Sequence, residues 1–346
     1  MKRKLNRSIA ALAGAALFAG LLMGAAPGGA PGAPGAPGGG RGAGGGFGGG
    51  GAGGAGALGG GARGGGALGG GARGGGRGAA VPPGPPAPVP PEVAMARPTP
   101  DELAKINETV NRMVQSDPLL QKYSSLISVA TPRPNPCIAP TPRNAQRHAG
   151  FVETANKGDV DLLFEGDSIT DWWVMNGPNA FKKYFGDIKV GNFAIAGDTT
   201  QGVLWGLQNG EAKGPDVKIK PKAIMLMIGT NNTGGNTAAE IAEGVGAIVL
   251  ENRKDFPDAK ILLLAVFPRG LPNDANRPKI ADINKIISKL DDHQHVFYMD
   301  IGAKFLDPET KAFLPDSFRT DNLHPQEKGY DIWGAAVMPT LSAWLK

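Results

Sequence analysis

Five short apolar runs, at Asp161 to Phe164, Ile188 to Ile195, Ala223 to Ile228, Lys260 to Phe267 and Val296 to Ile301, alternate with segments whose apolar residues recur at helical spacing. Runs of this kind are buried on both faces, and a helix between each pair makes them parallel members of one sheet. The expected fold class is α/β: a three-layer α/β/α sandwich around a five-stranded parallel sheet with right-handed crossovers. Such sheets bind ligands outside the carboxyl ends of their strands, so a site is sought just past each run.

Composition confines that fold to the later part of the chain. Of the 346 residues, the first 98 hold 35 of the 55 glycines and too little apolar surface to offset the entropy of ordering them. They carry nine Lys or Arg against Glu92 alone, net +8, whereas residues 99–346 carry 27 basic and 30 acidic side chains, net −3. The basic balance therefore belongs to the tail and says nothing about a ligand of the folded part.

Lys2, Arg3, Lys4 and Arg7 precede an uncharged run from Ser8 through Ala26, the pattern of a secretory signal, nearly long enough to stay as an anchor. The expected organisation is residues 1–26 as signal peptide or N-terminal anchor, 27–98 as a disordered Gly/Ala/Pro/Arg-rich linker, 99–146 as a helical and Pro-rich lead-in, and 147–346 as the folded domain. Export to periplasm, cell envelope or medium follows from the signal. Within the lead-in, Asp101 and Glu102 open a helical pattern of Leu103, Ile106, Val110, Met113 and Val114, expected to dock on the domain.

The tail's arginines, Arg41, Arg63, Arg73 and Arg77, have one aromatic neighbour, Phe47, for stacking on bases, so no nucleic-acid partner is expected. Contact with an anionic envelope polymer or membrane surface fits them better, and a plain spacer better still. The lone cysteine, Cys137, rules out an intramolecular disulfide and reads as incidental.

Past the first apolar run lies "GDSIT" with Ser168; past the second, "NFAIAGDTT" with Asn192, Gly197 and Asp198; past the third, "IGTNN". Near the C-terminus comes "DNLHP" with Asp321 and His324. Each alone is a common turn, cap or surface pair. Jointly they supply acyl transfer: Ser168 as nucleophile, His324 as the base that takes its proton, and Asp321 to orient the imidazole. A two-residue gap lets Asp321 and His324 share one turn. The G-x-S-x-G elbow of the other serine-hydrolase framework does not occur.

This order and spacing resemble the SGNH hydrolase superfamily, also called GDSL esterases. From about Arg147 onward the chain is closest to the acetylhydrolase type, typified by the catalytic subunits of intracellular platelet-activating-factor acetylhydrolase. Phrases such as "AGDTTQGVLWGLQNGE", "PKAIMLMIGTNN" and "FPRG" carry the likeness. The resemblance implies a flavodoxin-like SGNH hydrolase fold and a serine esterase acting on short-chain, acetyl-type esters, with no metal and no organic cofactor. It makes the Ser168 and Gly197 N–H groups and the Asn231 amide the oxyanion hole. Export adds an acetylated polysaccharide as the expected substrate. A lipase or thioesterase with a longer acyl groove, and a non-catalytic envelope-binding protein, are the rival expectations. Ile169 and Ala196 stand where the family has Leu and Gly, and Glu165 beside the motif either perturbs the site or points away.

Other residues carry weaker suggestions. His293 and His295 lie on one face of an extended segment without a third metal ligand. His148 reads as packed or capping, and Asp198 as a turn residue. Trp172 and Trp173 are either a pocket wall or sugar platform, or core.

Overall fold

The computed structural model describes residues 89–127 and 133–346; the expected signal peptide or anchor and the expected disordered linker up to residue 88 lie outside them. Strands β1 (Leu162–Gly166), β2 (Val190–Asn192), β3 (Ala223–Met227), β4 (Lys260–Leu264) and β5 (Val296–Met299) pair in parallel in the order β2-β1-β3-β4-β5. This is the expected five-stranded sheet. The strands stop short of the apolar runs: Phe193, Ala194 and Ile195 follow β2, and Val266 and Phe267 follow β4, all buried yet outside the named strands. An apolar run records burial, and at the carboxyl ends the chain stays buried past the named strands, with Phe193 and Ile195 still donating to Phe164 O and Gly166 O of β1 at 2.9 and 3.3 Å.

In chain order the helices are α1 (Pro100–Ser116), α2 (Pro118–Lys122), α3 (Ala145–Lys157), one-turn α4 (Ser168–Asp171) and α5 (Trp173–Asn176), α6 (Pro178–Phe185), α7 (Thr200–Gly206), α8 (Ala238–Asp255), α9 (Asn276–Ile287) and α10 (Glu327–Trp344). Successive strand residues face opposite sides of a sheet, so each face collects its own core. Leu163, Ile224, Leu226, Ile261 and Leu263 pack with side chains of α3, α7, α8 and α9. Leu162, Phe164, Met225, Leu262 and Leu264 pack with Ile169, Trp173, Phe185, Tyr330 and Trp333 from α4, α5, α6 and α10. Three layers result, and Trp173, fully buried, is core and not pocket wall.

Two expectations for the lead-in are corrected. The linker does not run to residue 98: Val89 and Val93 are buried in the core around α8, and Arg97 donates to both carboxylate oxygens of Glu243, at 2.6 and 2.7 Å. Buried carboxylates on α8 need partners, and Arg97 on Glu243, with Arg133 on Glu240, meets that need from upstream. The amphipathic helix α1 forms by local means, with Pro100 in its first turn and a Thr99–Glu102 capping box, but buries none of its residues; Ile106 is 49% exposed. Helical spacing specifies an apolar stripe and no partner for it.

Candidate active site

The nucleophile motif sits where β1 leaves the sheet. Asp167 caps the turn, its Oδ1 accepting the Ile169 N–H at 3.0 Å, and Ser168 opens α4 with 5% of its surface exposed. From the other end of the chain, Asp321 Oδ1 accepts the N–H groups of Leu323 (2.9 Å) and His324 (3.0 Å), with Asn322 in the left-handed region between them. That tight turn leaves Asp321 Oδ2 2.9 Å from His324 Nδ1 and His324 Nε2 2.9 Å from Ser168 Oγ. The Gly270 N–H donates to Asn322 O, and the Arg319 N–H to His324 O, both at 2.8 Å, so the turn is tied at both ends.

The third element is the loop after β2. Gly197 has φ +83°, a conformation open to glycine and strained for other residues. Asn231, in the turn after β3, donates its side-chain N–H to Asp198 O at 2.7 Å, which brings that amide against the Gly197–Asp198 segment. Among the described residues, no hydrogen bond uses the N–H of Ser168 or of Gly197. The structure thus assembles Ser168, Asp321 and His324 in one hydrogen-bonded chain and sets Asn231 against the segment that carries Gly197. A hydroxyl within 2.9 Å of an imidazole nitrogen can pass its proton there, with amide donors at hand for a developing oxyanion.

The model of the GDSL-like Lipase/Acylhydrolase family matches residues 164–332. Over 185 residues the chain is 36% identical to the platelet-activating factor acetylhydrolase IB subunit alpha2 of Rattus norvegicus, covering 53% of this chain and 77% of the relative. A subunit beta homolog from Drosophila melanogaster is 36% identical over 164 residues, 45% of this chain and 70% of that one. Among solved structures, a GDSL-like lipase from Bacteroides thetaiotaomicron overlays with a TM-score of 0.48 at 20% identity, covering 58% of this chain and 98% of that one. The chain belongs to the GDSL-like lipase/acylhydrolase family. It is an ester hydrolase.

Around the site, this acylhydrolase buries carboxyl groups in two ways. Asp321 is pushed up by burial but held below the usual carboxylate range by the N–H of His324, the ring of His324 and the N–H of Leu323. Asp167, fully buried with Oδ2 unpartnered, is raised to about 7, by burial first and then by the nearby Asp198 carboxylate. Glu165, one strand position before Gly166, points to the α8 side. Its Oε2 accepts from Asn252 at 2.7 Å, and burial raises it to about 8. Glu165 therefore faces away from the Ser168–His324 pair.

Residues upstream of the family match brace the loop. Arg143, its side chain 2% exposed, ion-pairs with Asp198 Oδ2 and Glu211 Oε2, both at 2.6 Å, and donates to Phe193 O at 2.9 Å. His148 joins this group, its Nδ1 2.7 Å from Glu211 Oε1, and its ring packs 4.7 Å from Trp205, the packed role expected of it. Asp198 is thus an anchor of the loop. Trp172 lies with its ring 4.2 Å from that of His324, with the Arg319 guanidinium 5.8 Å from the indole. His293 and His295 lie just before β5 beside Asp291 and Asp292, remote in sequence from every site residue. Sequence reasoning missed Arg143 and Arg147: two basic residues four apart in "PRNAQRH" have no spacing that announces distant carboxylates.

Proposed function

We propose that this acylhydrolase is an exported serine esterase that hydrolyses short acyl esters, acetyl first among them, through an acyl-Ser168 intermediate. The observation that carries the reading is the unbroken chain from Asp321 through His324 to Ser168, with both links at 2.9 Å. Ser168 Oγ attacks the ester carbonyl while His324 Nε2 takes its proton, and Asp321 fixes the tautomer and stabilises the imidazolium. The oxyanion is met by the N–H groups of Ser168 and Gly197 and the free N–H of the Asn231 amide. His324 then returns the proton to the departing alcohol. Water, deprotonated by the same ring, releases the acid and restores Ser168.

The alcohol side of the substrate is taken to be an acetylated carbohydrate. A cleft of about 820 Å³ runs beside the His324 turn, and residues along it, Asn176, Asn179, Arg319 and Gln326 among them, set amide and charged groups among apolar side-chain stems. Those amide and charged groups offer hydrogen-bond partners to a hydroxyl-rich alcohol. The longer-chain lipase reading draws on Val174 and Met175, 58% and 62% exposed just past Trp172. Export rests on the signal-like residues 1–26, and finding the chain only in the cytoplasm would remove it.

The test is hydrolysis of p-nitrophenyl acetate, butyrate and octanoate by the full chain beside Ser168→Ala. The expected result is a rate highest on acetate, falling with chain length and abolished in the variant. Octanoate as the best substrate would replace the acetyl reading with the lipase one, and an unchanged rate in Ser168→Ala would remove the nucleophile.

A further inference from the structure

Asp171 closes the single turn that Ser168 opens, three residues from the nucleophile, and its side chain is only 11% exposed. Its Oδ2 accepts the N–H of Ala196 at 3.0 Å, and Ala196 immediately precedes Gly197. Arg147 of α3 holds this carboxylate from behind with a bidentate grip, Nη2 to Oδ1 at 2.6 Å and Nη1 to Oδ2 at 3.1 Å. The same Nη2 donates to Ala194 O at 2.9 Å, and the guanidinium lies 5.3 Å from the centre of the Phe151 ring. One side chain thus joins the nucleophile's own turn, the helix before β1 and the loop that carries the second oxyanion donor.

The loop needs such a tie. Ala196 and Gly197 are exposed, and no heavy atom lies within 4 Å of where a Gly197 side chain would begin, so packing does not fix that peptide. Hydrogen bonds do. Asn192 Nδ2 on Thr170 O, at 3.1 Å, ties the start of the loop to α4, and Arg143 on Asp198 ties its far side. The Asp171–Ala196 bond is the tie on the residue before the donor, as Asn231 on Asp198 O and Arg143 on the Asp198 carboxylate are the ties on the residue after it.

We propose that Asp171, held by Arg147, is a positioning residue that sets the separation of the Ser168 and Gly197 N–H groups and so tunes the oxyanion hole. The proposal rests on the serine-esterase reading. A donor aimed at the transition state acts on kcat and leaves ground-state binding alone, and displacement by about an ångström costs on the order of 100-fold. Asp171→Ala is therefore expected to lower kcat on p-nitrophenyl acetate by roughly 10-fold to 100-fold with KM within about threefold. Asp171→Asn, whose amide oxygen can still accept from Ala196, should recover much of that loss.

Phenylboronic acid supplies a readout that a merely structural role would not move. Ser168 Oγ adds to its trigonal boron as the hydroxyl proton passes to His324, and the anionic tetrahedral adduct puts one of its hydroxyl oxygens in the oxyanion hole. Its affinity should fall in parallel with kcat across wild type, Asp171→Asn and Asp171→Ala. Unchanged kcat in Asp171→Ala overturns the clamp, as does boronate affinity that stays constant while kcat falls, or a loss equal in both variants that follows the folded fraction by circular dichroism. A wild-type chain that neither cleaves the ester nor binds phenylboronic acid overturns the esterase reading instead, which separates the two failures.

Discussion

Replacing Glu165 with Gln tests how the core handles a carboxyl group it cannot solvate. Glu165 is 2% exposed in the interior strand β1, its Oε2 accepts one bond from Asn252, and its Oε1 accepts none. Burial raises it from an ordinary 4.5 to about 8; the Asn252 amide opposes the shift, the Glu211 carboxylate adds to it, and the Arg143 guanidinium opposes it. Because the folded-state value lies above the unfolded one, the folded chain keeps its proton between pH 4.5 and about 8 while the unfolded chain has released it. Folding takes up a proton in that window, so stability is fullest below it and declines as pH rises, by up to about 1.4 kcal/mol per unit. From pH 5 to 8 the decline from this one group is on the order of 4 kcal/mol, a large share of a domain's stability. Gln has nearly the same shape, leaves the same position short of one partner, and does not titrate.

The assay is urea unfolding of wild type and Glu165→Gln at pH 5, 6, 7 and 8. Asp167, raised to about 7, and Asp255, raised to about 6, titrate in both chains, so the difference between the curves isolates Glu165. The variant should gain on wild type steadily with pH and be the more stable chain at pH 8. Parallel curves would refute the buried neutral acid. A variant that loses ground as pH rises would mean that Glu165 is ionised and stabilised in the fold.

Two further outcomes are expected. Asn231→Ala should lower kcat on p-nitrophenyl acetate by roughly 100-fold to 1000-fold with little change in KM, because a transition-state donor is lost; unchanged turnover would remove Asn231 from the oxyanion hole. Gly244→Ala on α8 would place its Cβ 2.8 Å from Thr200 Oγ1 and 2.9 Å from both Cβ and O of Cys137. The helix gains about 1 kcal/mol from the exchange and overpacking costs about 1–3 kcal/mol, so a lower melting temperature is expected, and an unchanged or higher one would show that the Cys137 segment yields freely.

What the sequence determined by itself is whatever depends on neighbours along the chain. Apolar runs placed five strands because parallel strands buried on both faces need no alternation, and Asp321 with His324 reads from sequence because a two-residue gap closes within one turn. The nucleophile turn was legible for the same local reason. Tertiary structure decided everything that depends on which distant groups meet. Val89 and Val93 lie in a proline-rich stretch with no periodicity, and only their fit against Gly246 of α8 makes them core, while the well-patterned α1 stays unburied. Glu165 faces away from Ser168 because strand alternation turned it toward Asn252. The braces on the oxyanion loop, Arg143 on Asp198 and Arg147 on Asp171, join residues 55 and 24 positions apart. A charge carries no record in sequence of the partner it will be buried with; packing assigns that partner, because a charge withdrawn from water is stable only beside its opposite.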